Sequence, residues 1–167
     1  MSAQQIILDH DKWRKGIGGA PAGLSGESDS SAYAGLDLDL AEFSDATFSG
    51  GSFSDCTFRN ARWSSCRFTR CTFSQCDFEH IAISGCTFVN CTFEKAQFAN
   101  SQLAECQFTH GIWNHMNFDH GWWRAVKVLD CKGTTVNARH LRGEGVAFTG
   151  SSFEHLEFED TLLNSTV

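Results

Sequence analysis

The sequence predicts an all-β solenoid, a four-sided parallel β-helix of about 20 residues per coil, led by a short helix. Three observations predict it. Large apolar residues recur every five positions through Phe43, Phe48, Phe53, Phe58, Trp63, Phe68, Phe73 and Phe78. All eight cysteines lie two residues before a position of that series. Where a central residue is very large its partner is small: Ala61 with Trp63, Gly111 with Trp113, Gly121 with Trp123.

The series runs on through Ile83, Phe88, Phe93, Phe98, Leu103, Phe108, Trp113, Phe118, Trp123 and Val128. It returns in phase at Phe148, Phe153, Phe158 and Leu163, and extends back through Leu38 to Tyr33. A period of five fits neither the 3.6 of a helix nor the 2 of a strand. The chain must turn every five residues while keeping two side chains inward. Four such sides close a coil, and coils stack through parallel backbone hydrogen bonds about 4.8 Å apart.

The elements follow in order. Residues 2–15 carry Ile6, Ile7, Leu8 and Trp13 among charges and predict a short amphipathic helix. Gly16, Gly18, Gly19, Pro21 and Gly23 end it. Residues 25–32 read as a linker, so residues 1–32 are expected as helix, cap and linker, and 33–167 as the β-helix. An open solenoid end exposes strand edges, and the N-terminal helix is the expected cap. Between 131 and 146 the pattern inverts: Gly133, Ala138 and Gly143 take the central slot, and Val136, Leu141 and Val146 the other. Total volume is kept, so this stretch is expected to stay in the coil. Residues 161–167 are too short for a second capping helix, which leaves the last coil open to a partner or a second copy.

The unit Cys-Thr-Phe at Cys56-Thr57-Phe58, Cys86-Thr87-Phe88 and Cys91-Thr92-Phe93 resembles the pentapeptide-repeat family over about residues 36–165. Cys stands here where Ala is common in that family, and Phe where Leu is common. The resemblance implies a right-handed quadrilateral parallel β-helix. It implies a bacterial, mostly non-catalytic protein, with some members in effector or secretion systems. Others mimic duplex DNA and inhibit or protect type II topoisomerases.

The chemistry visible in the sequence is sparse. A net charge of −7 argues against direct nucleic-acid binding. No apolar run is long enough for a membrane span, and no charged-then-apolar stretch opens the sequence. Inward cysteines read as reduced packing thiols, which fits the cytoplasm. No Cys-x-x-Cys pair suggests zinc, no catalytic motif is present, and neither a metal nor another cofactor is expected. Six of the seven histidines hold the last position of the unit, and His120 and His140 fall one coil apart, about 5 Å, the alternative place for a metal or a catalytic surface.

Asp39, Arg59, Glu79, Ala99, Asp119, Arg139 and Glu159 are expected along one edge as a ladder of ion pairs. Acidic residues concentrate near the ends of the chain, with Arg59, Arg62, Arg67 and Arg70 as a belt between. Trp122 falls in an outward phase, as do Leu129 and Leu162, and with Arg142 they form the candidate interface to a protein partner.

Overall fold

The computed structural model describes residues 2–164, and the last part of the expected C-terminal segment, Ser165–Val167, lies outside them. From Ala22 onward the chain winds into coils whose strands pair in parallel. A first face stacks eight strands, from Gly23–Ser25 to Leu162–Asn164. A second stacks six, from Ser28–Asp29 to Lys127–Leu129, and a third seven, from Ala32–Ala34 to Ser152–Glu159. The fourth face is held by single bridges that link Asp37, Thr57, Asp77, Gln97 and Asn117 in turn. In the last coils the third-face strands Lys132–Arg139 and Ser152–Glu159 carry pairing around the corner onto the fourth face.

Each fifth residue makes the corner in the left-handed region, a conformation that Asn, Asp, His and Gly accept best. His80, His110, His115, His120, His140 and His155 all sit there with φ between 53° and 61°. Their shared phase is therefore explained by the turn itself.

The register sets each residue on its equivalent one coil away, so the core is a set of columns. Phe88 lies between Phe68 and Phe108, at ring-centroid distances of 4.8 and 4.7 Å and nearly parallel. Such spacing matches the strand separation, so stacked rings fill the interior without gaps. All eight cysteines are buried beside them. Several thiols point to the carbonyl of the coil before, as Cys91 Sγ does to Phe68 O at 3.3 Å. The indole Nε1 atoms of Trp63, Trp113 and Trp123 are buried without an acceptor. These tryptophans serve by volume, at the expense of a hydrogen bond.

The inverted stretch stays in the coil, with Val136, Leu141 and Val146 buried. Its logic runs along the column. Trp113, Gly133 and Phe153 occupy one column, and the Trp113 and Phe153 rings meet across the glycine at 5.5 Å. A Cβ at Gly133 would strike the Trp113 backbone. Trp123 stands above Gly143 in the same way on the first face.

The first coil differs from the expectation. Residues 25–32 form part of it: Ser28–Asp29 pairs with Thr47–Phe48, and Leu24 pairs with Phe43 and is buried. The solenoid thus begins at Ala22, and the boundary at residue 33 is corrected. The repeat was hidden because Leu24 and Phe43 are 19 residues apart, against 20 from Tyr33 to Phe53. One residue is missing between Asp29 and Tyr33, which throws Leu24 out of phase. Asp29 also takes the slot of a Phe and spends its carboxylate on the Ser31 and Tyr33 hydroxyls, both at 2.9 Å.

The helix Ala3–Arg14 packs on this first coil. Ser2 and Gln5 cap it reciprocally, which satisfies two of its free amide ends. Ala3 and Ile7 bury its apolar face, and Asp11 accepts the Asp37 N–H at 2.7 Å. Arg14 reaches Asp37 at 3.2 Å and Asp39 at 3.7 Å.

Replacing Phe88 by Ala will open a cavity inside the aromatic column and lower unfolding free energy by about 3–5 kcal/mol in a denaturant titration. A loss below about 1 kcal/mol would show that the column does not carry the fold.

Candidate interaction surface

Outward side chains on each face also form columns, because the register is the same outside as inside. On the first face one column reads Glu42, Arg62, Ala82, Gln102, Trp122, Arg142 and Leu162. Its early members are small or polar. Trp122 then stands 55% exposed and Leu162 65% exposed, one on each side of Arg142. A shallow cleft runs between them, bordered by Glu144 and Thr161. The structure thus brings together Trp122, Arg142 and Leu162. Leu129 lies on the second face, part-buried beside Thr109, and does not join them.

Arg142 is held in place from the corner. Its guanidinium donates to the Leu141 carbonyl at 3.2 Å and lies 3.6 Å from the Asp160 carboxylate. His140 Nδ1 makes a very short contact to the same carboxylate. That hydrogen bond first, and the Arg142 charge after it, keep the Asp160 carboxyl below the usual range. The His120 and His140 rings stack with centroids 5.0 Å apart, as the sequence spacing predicts. Asn100 separates His80 from this pair in the corner column. Among the described residues no three ligand side chains converge on a metal position.

The fourth face gathers charge in a way the linear sequence conceals. Asp37, Asp39, Asp77, Glu79, Asp119, Glu157 and Glu159 share it with Arg59 and Arg139. The expected ladder forms only in part. Arg139 pairs with Glu159 at 3.3 Å, but Arg59 turns to Asp77 at 2.9 Å. Asp39 and Asp119 instead accept the backbone N–H of Arg59 and Arg139, each at 2.8 Å. Asp77 and Asn117 accept the N–H two residues on, at 3.0 and 2.7 Å. Where strand pairing thins to single bridges, side-chain oxygens satisfy the backbone donors that remain. Acidity also runs along the length of this face rather than lying only at the chain ends, which corrects the linear reading. The four arginines between Arg59 and Arg70 spread around one coil: Arg59 on the fourth face, Arg62 on the first, Arg67 on the second, Arg70 at the next corner.

The thiols carry no exposed chemistry. Burial pushes Cys76 up to about 12 and Cys106 up to about 11. Along the columns Cys86 is raised first by its hydrogen bond with Cys66 and then by burial, and Cys91 likewise with Cys71. The same shared bonds lower Cys66 and Cys71, but these two are as buried as their partners. Sequence reading missed His10, which lies outside the repeat and is fully buried between helix and coil. Its place ahead of the five-residue repeat was the one signal available.

Residues 61–138 match the family profile described as the pentapeptide repeat region. Over these residues the repeat is that of a pentapeptide-repeat region, and the four-faced coil is the parallel β-solenoid that such repeats form. Among solved structures it is similar to a trypsin-treated variant of QnrB1, described as a plasmid-mediated fluoroquinolone resistance protein. That match has 17% identity and a TM-score of 0.53, and covers 82% of this chain and 74% of the other. It is also similar to Rfr23, a pentapeptide repeat protein from the cyanobacterium Cyanothece 51142, with 9% identity, a TM-score of 0.45, and coverage of 84% and 90%. No curated protein matches the sequence.

Because all eight thiols are inside, a thiol reagent will label fewer than about one group quickly in the folded protein, and all of them after denaturation. Rapid labelling of several cysteines would contradict the buried columns.

Proposed function

We propose that this chain is a non-catalytic rod that binds a protein partner through the Trp122–Arg142–Leu162 column. The observation that carries this reading is a tryptophan left 55% exposed on the first face, with Leu162 two coils on in the same column. Exposed tryptophan beside an immobilised arginine is the composition of binding hot spots. The core is filled by stacked side chains, so the chemistry of the rod lies on its faces and ends. Eight unpaired buried thiols suit a reducing, cytoplasmic setting. A bacterial effector or secretion context comes from the family resemblance, and the idea of a homodimer from the expected open edge of the last coil. Among the described residues no helix is long and apolar enough to cross a membrane.

The acidic fourth face favours a second reading, a DNA mimic that binds a type II topoisomerase, as the family resemblance implies for some members. Charge density weighs against it. Seven carboxylates against two guanidiniums leave a net five negative charges on that face. They spread over roughly 29 Å, six coil steps of about 4.8 Å. That is one net charge per roughly 6 Å, against one per about 1.7 Å in duplex DNA. Several of these carboxylates are also occupied by backbone donors.

Trp122→Ser should leave the unfolding free energy within about 0.5 kcal/mol of wild type. It should also weaken capture of a partner from cell lysate by about 2 kcal/mol or more in the affinity of the identified complex. Undiminished capture by Trp122→Ser would overturn the role given to this column. Topoisomerase subunits among the captured proteins, with supercoiling activity changed on addition of the rod, would establish the second reading instead.

A further inference from the structure

The one fully buried histidine bridges the N-terminal helix and the coil. His10 Nδ1 accepts the Ala22 N–H at 2.8 Å, and Nε2 lies 2.6 Å from the Asp39 carbonyl. An amide N–H only donates and a carbonyl only accepts. The ring is therefore neutral, with its proton on Nε2. Ala22 opens the first coil and Asp39 lies on the fourth face of that same coil, so a single imidazole ties the helix to both ends of the coil it caps.

We propose that His10 is a proton-operated latch that releases the capping helix on acidification. A second ring proton would sit on Nδ1 and face the Ala22 N–H, donor against donor, in a site without exposure. Protonated His10 can keep its bond to Asp39 but not the one to Ala22. Burial is the main influence on the ring and favours the neutral form. From the fourth face of the first coil, Asp37 and Asp39 pull toward protonation, and from the helix Arg14 opposes it. Arg14 is itself paired with those two aspartates. Asp11, the next residue on the helix, is engaged by Lys15 at 2.8 Å, and the Trp13 ring lies 5.3 Å from the imidazole.

The helix is also built to leave. Past its C-terminal end, Gly16, Gly18 and Gly19 all have positive φ and form the hinge to the coil. It packs on the strands Gly23–Ser25 and Ser28–Asp29 and on no further strand. Its departure uncovers the free edge of the first coil while the aromatic columns stay closed, a local opening of the kind that small docked elements undergo.

The direction of the pH effect follows from linkage. The docked ring prefers to stay neutral, and the released ring takes a proton near the ordinary pH of about 6.5. Docking is therefore full above about pH 6.5 and weakens by up to about tenfold per unit below it. Histidine is the side chain whose ordinary titration falls between about pH 5 and 8, and the other six stand at corners of later coils, so a window from about pH 7 to 5 reports on this imidazole.

Hydrogen exchange on the full chain tests this, with residues 3–14 read against residues 87–98 of the inner coil. After correction for intrinsic rates, wild-type protection over 3–14 should fall between about pH 7 and 5, by up to about 25-fold for one proton, with 87–98 unchanged. His10→Gln offers one acceptor and one donor but takes no proton, and its protection should stay flat. Flat wild-type protection, or an equal fall in both proteins, would overturn the latch. If His10→Gln is already open at pH 7, NMR titration of the wild-type ring decides. Proton uptake by His10 together with loss of helix protection supports the latch, and uptake with the helix still protected overturns it.

Discussion

Every coil of this protein must present the same cross-section to the coils on either side of it, because parallel strands allow only one spacing. From that constraint the period of five, the left-handed corners and the filled columns all follow. The ring spacing of Phe68, Phe88 and Phe108 is the strand spacing, so aromatic packing and backbone hydrogen bonding are satisfied by one geometry. The constraint acts on the column more than on the single unit. Gly133 and Gly143 break the unit pattern, but they lie directly beneath Trp113 and Trp123 and return the column to its proper volume.

This explains what could be read from the sequence and what could not. The inward phase was legible because it repeats every five residues. The first coil was not, because one missing residue between Asp29 and Tyr33 shifts Leu24 out of register. The histidine corner was legible as a pattern, but its cause, a backbone in the left-handed region, is visible only in the coil. Trp122, Arg142 and Leu162 could be named singly as outward. Their union in one column, with Leu129 on another face, depends on the 20-residue register between strands. His10 carried no periodic signal, since its partners are the backbone groups of Ala22 and Asp39.

The acidic face shows why charge pattern alone is a poor guide to function in such a rod. The fourth face has the thinnest strand pairing, with single bridges in its first coils. Backbone N–H groups left over there need acceptors, and Asp39, Asp77, Asn117 and Asp119 supply them. Asn117 does for its coil what Asp77 does for another, so the requirement is for an oxygen and not for a charge. Much of the negative column is thus accounted for by the fold.

The outward tryptophan has no such account. Inward positions are fixed by volume, corners by the left-handed backbone, and many fourth-face carboxylates by amide donors. Trp122 fills no void, makes no corner and bonds to no orphan group. The same column holds Ala82 and Gln102 in the two preceding coils, so the strand geometry accepts a small or polar residue there. Leaving an indole more than half exposed forgoes the stabilisation its burial would bring. Leu162 repeats that cost two coils on, and Arg142 between them is tethered by Asp160 instead of ranging freely through solvent. A rod whose stability resides in its core can carry such a column at small expense, and a partner that covers it would recover the burial the fold leaves unused.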